Sequence, residues 1–165
     1  MNVADRWAVT PTVFYQRPKD ALRWLETAFG FETNILVTDS EGNVAHAEMT
    51  AGGAEIGVGG EWSGEELGGA RMLSPRTAGG VCTQFIWLTL PSDIDGHCER
   101  ARSAGATIAQ DPADQFYGDR TYRALDLEGH VWCFRQRVRA VSDAEMEAAT
   151  GLTVKTGLRS RQASP

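Results

Sequence analysis

His46 and Glu48 stand two residues apart in the run HAEM, a spacing that puts both side chains on one face of a strand and leaves Ala45, Ala47 and Met49 on the other. An imidazole beside a carboxylate can serve as a base held by its orienter or as a pair of polar anchors for a ligand; a structural hydrogen bond or a solvated edge is the plain alternative. Cys133 is a second candidate. A nucleophilic thiol needs a lowered pKa and a nearby base, and its sequence neighbours supply neither, so it reads as a small buried hydrophobe that can line a pocket. His130 follows the turn glycine Gly129 and reads as structural, whereas His97, beside Cys98 on a predicted helix, reads as surface. Arg120 and Arg123 lie on either side of Tyr122, and one of them, with Arg120 the one counted among the pocket residues, is a candidate to clamp an anionic ligand, a cross-strand ion pair being the equal alternative.

The aromatic residues add a wall to these polar groups. Phe14, Phe85, Trp87 and Tyr122 fall on predicted strands around a cavity, and Trp62 and Tyr117 fall in flanking loops. Such a set suits a flat or partly apolar small molecule. Plain core packing is the competing reading, preferred for Trp132 and Phe134 and as good as the binding reading for Trp62 and Trp87.

These side chains need a scaffold, and the periodicity supplies one. Val9 to Tyr15 alternates as a strand; Pro18 opens a helix carried by Leu22, Leu25 and Phe29 and closed by Gly30. Strands follow over 33–38, 44–50 and 54–58, with turns at DSEGN and Gly52-Gly53. Residues 59–80 are glycine-rich and aperiodic, a long crossover or lid. The order then repeats: a strand over 84–90, a helix with a Ser92/Asp95 capping box that ends at Gly105, a short strand over 107–110, and a hairpin of 121–127 and 131–134 turning at Glu128-Gly129. The interval from Gly30 to Gly105 matches that from Gly53 to Gly129 within one residue, which marks a duplicated βαβββ unit. Ser142 and Glu145 form a capping box for a last short helix before a polar, basic tail.

The net charge of −6 argues against a general nucleic-acid binder and favours a small neutral or cationic ligand. Cys82, Cys98 and Cys133, odd in number and not closely spaced, argue against a disulfide scaffold, and no stretch has the makings of a leader or a membrane span, so a cytoplasmic protein is expected.

The two modules, AFGFE at the end of the first helix, SAGATI after the second, HAEM, and YGDRTYRALDLEGHVW together resemble the vicinal oxygen chelate superfamily of glyoxalase I, extradiol dioxygenases and bleomycin-resistance proteins. The GDR…D.EGH.W pattern is most similar to its PhnB-like branch. The resemblance spans residues 8–138 and implies an α+β fold whose paired modules, about 8–58 and 83–138 with a crossover at 59–82, curl into an open barrel. A short helix and tail follow over 142–165. In metal-dependent members, ligands come from the first and last strands of each module. Carried over by spacing, those positions fall on Thr10, Gly57, Phe85 or Ile86, and Cys133. Only the thiol is a competent donor, so no metal cofactor is expected. The resemblance thus implies a metal-independent protein, a homodimer, that binds a small aromatic or partly apolar molecule between modules. The alternatives are a metal-dependent lyase, isomerase or extradiol-type dioxygenase with other ligands, and a metal-free enzyme using His46 and Glu48 for proton transfer.

Overall fold

The computed structural model describes residues 8–155 and 157. Its first module runs β1 (Thr12–Tyr15), α1 (Pro18–Phe29), β2 (Glu32–Thr38), β3 (Val44–Ala51) and β4 (Ala54–Gly60). Proline at the first turn fits α1, where its missing N–H costs nothing, and Gly30 ends it at φ 70°, a left-handed conformation that disfavours a Cβ. A short ribbon, β5 (Trp62–Ser63) with β6 (Arg71–Met72), and a 3-10 turn at Glu65–Leu67 lie within the crossover read as aperiodic. The second module follows as β7 (Phe85–Thr89), α2 (Ile94–Ser103), β8 (Thr107–Asp114), β9 (Asp119–Leu125) and β10 (Val131–Arg137).

The sheets have the same plan. Their strand orders are β1-β4-β3-β2 and β7-β10-β9-β8, each with one parallel pair between its first and last strands and antiparallel pairs elsewhere. This is the duplicated α+β arrangement anticipated from the landmarks, built as two mixed sheets with no closed barrel.

One face of each sheet packs on helices. Val13, Tyr15, Ala47, Met49, Ile56 and Val58 from the first sheet join Ile86, Leu88, Tyr122, Ala124, Trp132 and Phe134 from the second in one core with α1 and α2. Phe29 at the end of α1 is the hinge of that core, with ring centroids 4.8 Å from Phe134 and 5.6 Å from Trp132. The other face of each sheet is turned away from α1 and α2. Ile35, Val37, Phe85 and Trp87 are 39–48% exposed there.

Polar groups lock the modules together at two seams. At one, Asp126 turns the β9–β10 hairpin by accepting the backbone N–H groups of Glu128, Gly129 and His130, and its other oxygen takes Tyr15 Oη at 2.6 Å and Trp132 Nε1 at 3.0 Å. Glu128 beside it accepts the N–H groups of Gln16 (2.9 Å) and Arg17 (3.1 Å), supplying α1 with the N-terminal cap that its own N-cap residue does not make. His130 bonds the Phe14 carbonyl at 2.8 Å, a structural role as read.

The second seam corrects the surface reading of His97. Its ring is half-buried between α2 and the end of α1, against Phe29, Tyr122 and Phe134. Nε2 lies 3.1 Å from the Phe29 carbonyl, which can only accept, so Nε2 donates and Nδ1 accepts from Tyr122 Oη at 2.6 Å. Arg100 adds donors to the carbonyls of Ala28 and Phe29, so the last carbonyls of α1 are capped from the other module. The position of His97 on α2 could not reveal this, because the element that buries it comes from a distant part of the chain.

The second helix also starts differently from its expected capping box. Asp93, at φ 54°, is the N-cap and accepts from Gly96 N, while the Ile94 N–H is taken by Gln136. The last helix, α3 (Asp143–Thr150), does have the anticipated Ser142/Glu145 capping box and ends at Gly151. Residue 156 and residues 158–165, the rest of the expected tail, lie outside the described residues. No helix among those described is long and apolar enough to cross a membrane, which says nothing of membrane β-barrels.

Candidate functional site

The hairpin register decides which predicted site residues meet. Cys133 pairs with Trp87 across the parallel edge and with Arg123 across the antiparallel one, and Val131 pairs with Phe85. Side chains alternate, so Phe85, Trp87, Arg123, Cys133 and Arg135 share the solvent side of the second sheet. Tyr117 joins them from the β8–β9 turn, where burial and the nearby Cys133 and Asp119 push its hydroxyl pKa up. Phe85 and Trp87 have centroids 5.7 Å apart; the Arg123 guanidinium lies 6.0 Å from the Phe85 centroid and that of Arg135 5.7 Å from the Trp87 centroid. Cys133 lies fully buried at the floor of this group and outside the continuous core. Burial pushes its thiol pKa up, which suits an inert wall and not a thiolate nucleophile.

Two residues expected beside that group face the other way. Tyr122 pairs with Phe134 and stacks on it at 4.9 Å inside the helix-covered core, and Arg120 pairs with Gln136 and bonds Asp95 and Asp114 at 2.8–2.9 Å. Arg120 and Arg123 are three residues apart on one strand and so cannot share a face. The ion-pair reading therefore holds for Arg120, and Arg123 takes its place on the open side. Arg135 is the residue missed as a site candidate, although the alternation Val131, Cys133, Arg135 already put it beside the thiol.

The remaining candidates form a separate group on the first sheet. His46 Nε2 and Glu48 Oε1 are 2.9 Å apart on β3, with side chains 55% and 36% exposed. Phe14, His46 and Trp62 line a cavity of about 380 Å³ with Thr12, Gly59 and Gly60; Phe85, Trp87 and Cys133 are not among its walls. On the other side of Phe14 the crossover lies over β1, and a second hollow of about 370 Å³ is lined by Thr12, Met72, Val81, Gln84 and His130. In one chain the residues expected around a single cavity are thus divided into two half-sites, one on each sheet, while a hollow of about 330 Å³ between the modules, lined by Phe29, Phe31, Leu88, His97 and Phe134, holds none of them.

The donor set at the carried-over metal positions does not fit a divalent ion. The β1–β4 register sets Thr12, not Thr10, opposite Gly57, and a Cβ built on Gly57 would come 2.5 Å from Thr12 Oγ1. In β7 the open-face residue is Phe85, with Ile86 buried on the helix side, which resolves the register left open above. A hydroxyl, a glycine, a phenyl ring and a buried thiol provide one ordinary ligand. Among the described residues, no three His, Cys, Asp or Glu side chains cluster as a metal site would require.

Known proteins share this architecture. Residues 8–134 match the model of the Glyoxalase/Bleomycin resistance protein/Dioxygenase superfamily. Protein Rv0887c of Mycobacterium tuberculosis is 29% identical over 142 residues, covering 86% of this chain and 81% of the relative. The crystal structure of TioX from Micromonospora sp. ML1 superposes with a TM-score of 0.61 at 30% identity, over 81% of this chain and all of that one. The fosfomycin resistance protein FosX of Listeria monocytogenes, solved with Mn(II) and sulfate, aligns with a TM-score of 0.54 over 87% of this chain and 96% of its own; at 15% identity it speaks to the fold alone. The chain therefore belongs to the glyoxalase/bleomycin resistance protein/dioxygenase superfamily.

Proposed function

We propose that this protein is a metal-independent binder of a small aromatic or partly apolar molecule, with the open face of the second module as its main contact. The observation that carries this reading is the gathering of Phe85, Trp87 and Tyr117 around Cys133 on a face with no helix over it. Rings held in place by a sheet offer large contact area at low entropic cost, and such a surface is unusual to leave bare. The poor donor set at the metal positions favours binding without a metal over lyase, isomerase or dioxygenase chemistry. Placement in the PhnB-like branch, cytoplasmic residence and a single domain over 8–138 belong to the same reading.

The bare faces also favour a homodimer. The first sheet presents Ile35 and Val37 beside His46 and Glu48, and the second presents rings beside arginines, so one copy's first face complements another's second face in shape class and charge. Such pairing closes the half-sites into a cavity across the subunit boundary.

The His46–Glu48 contact at 2.9 Å supports a second reading, a metal-free enzyme in which the carboxylate orients the imidazole for proton transfer.

The test is a thermal-shift and native mass-spectrometry screen with quinones, aromatic glycopeptides and glutathione adducts on protein purified without chelators, together with metal analysis and product analysis. Stabilisation by an aromatic ligand without turnover supports the binding reading, and turnover without metal moves it to the second. One equivalent of zinc, nickel, iron or manganese, lost with activity on chelation, overturns both.

A further inference from the structure

We propose that the open face of the second module selects a planar aromatic ligand bearing an anionic group such as a carboxylate, the ring against Phe85, Trp87 and Tyr117 and the charge held by Arg123 and Arg135. The inference rests on the aromatic-binding reading above and adds the charge of the ligand.

The two guanidiniums lie over the two exposed rings of β7, at 6.0 and 5.7 Å. Stacking uses the flat face of a guanidinium and leaves its N–H edge free to fork a carboxylate. Arg135 spends Nε on Thr89 Oγ1 at 2.9 Å and has only a loose 3.8 Å approach to Asp119. Asp119 is itself buried and takes Arg137 Nε at 2.9 Å. Arg123 makes no ion pair among the described residues; its neighbours are the Phe85 ring and the Cys133 thiol. Arg123, Arg135 and Arg137 therefore outnumber the one carboxylate, Asp119, on this face.

That local excess is opposite in sign to the whole chain, whose net charge is −6. The carboxylates near α2 are committed on the other side of the sheet, where Asp95 and Asp114 hold Arg120 and Asp111 holds Arg102. Those acids are already paired with Arg102 and Arg120, so a ligand on the open face meets Arg123 and Arg135. The neutral or cationic ligand favoured by net charge alone is thus replaced, at this face, by an anionic one.

Three probes of one size separate the possibilities: 2-naphthoate, 2-naphthalenemethanol and 2-naphthylmethylammonium, titrated into the full chain by calorimetry. The naphthoate is expected to bind about tenfold tighter than the alcohol, as one charge-assisted hydrogen bond would give, and the ammonium weakest of the three. Arg123→Gln and Arg135→Gln each shrink the naphthoate-to-alcohol ratio several-fold, while Arg120→Gln, on the helix side of the same sheet, leaves the ratio unchanged. Melting curves confirm that each variant is folded. Equal affinity for all three probes, or a naphthoate preference that survives both substitutions, overturns the anion assignment and leaves aromatic binding standing. Binding of none of the three overturns both.

Discussion

Tyr15 donates a hydrogen bond from its hydroxyl to Asp126 across 2.6 Å of buried space, joining the first strand of one module to the final hairpin of the other. Burial, with the Asp126 carboxylate next in effect, holds the tyrosine pKa well above its ordinary value, so the phenol stays a donor throughout the working pH range. The same carboxylate closes the hairpin turn and holds Trp132, so hairpin geometry and module docking depend on one side chain.

Asp126→Ala should therefore destabilise far more than Tyr15→Phe. The alanine leaves Tyr15, Trp132 and backbone donors buried without an acceptor, at about 1–3 kcal/mol each for those that stay dry, whereas the phenylalanine removes one donor from a carboxylate that keeps four. Urea unfolding of both single variants and the double variant measures the coupling, and an additive result would mean that the contact contributes nothing across the seam.

Acidification should weaken the protein through His97. Burial, with the Arg100 charge assisting, lowers its pKa from 6.5 to about 4 in the fold. Between those values the unfolded chain binds more protons than the native one, so stability rises with pH there and falls as pH drops from 6.5 toward 4, by up to about 1.4 kcal/mol per pH unit. Above 6.5 the group contributes no slope. Urea midpoints from pH 4.5 to 7.5 should show this dependence in the native sequence and a flatter one in His97→Gln; identical slopes would remove His97 as the cause.

The two faces of the sheets predict opposite outcomes for two alanine substitutions. Trp132 is fully buried against Phe29 and Phe31, and its loss should cost roughly 3–5 kcal/mol of stability. His46 is 55% exposed, so His46→Ala should leave the melting temperature nearly unchanged while weakening any ligand that it anchors by about tenfold. Melting temperature and affinity measured for both variants decide whether the open faces have been assigned correctly.

Light scattering at micromolar concentration should show a species of twice the 17.9 kDa chain mass. Trp87→Glu, which places a charge on the bare second face, should shift that species toward the monomer. A native protein that runs only at the single-chain mass would leave each half-site open and remove the dimer from the proposal.

Much of this molecule follows from signals a few residues long. Pro18 and Gly30 mark α1, Ser142 with Glu145 marks α3, and alternation along 131–135 already separates Trp132 and Phe134 from Cys133 and Arg135. Those signals are local because they depend on φ preferences, end caps and the two-residue repeat of a strand. The duplication was legible for the same reason, through glycines placed at equivalent turns.

Tertiary structure decided what no local pattern contains. Whether Arg120 or Arg123 faces the rings depends on the register of β9 against β10 and on which side α2 covers; a shift of one residue would exchange the two faces. His97 is buried by a helix from the other module, and α1 receives its N-terminal cap from Glu128, more than a hundred residues along the chain. The separation of His46 and Glu48 from the Phe85–Trp87 face belongs to the same level. It arises because both helices pack into one shared core, so each sheet can turn only one side inward and must leave its chemistry on the other.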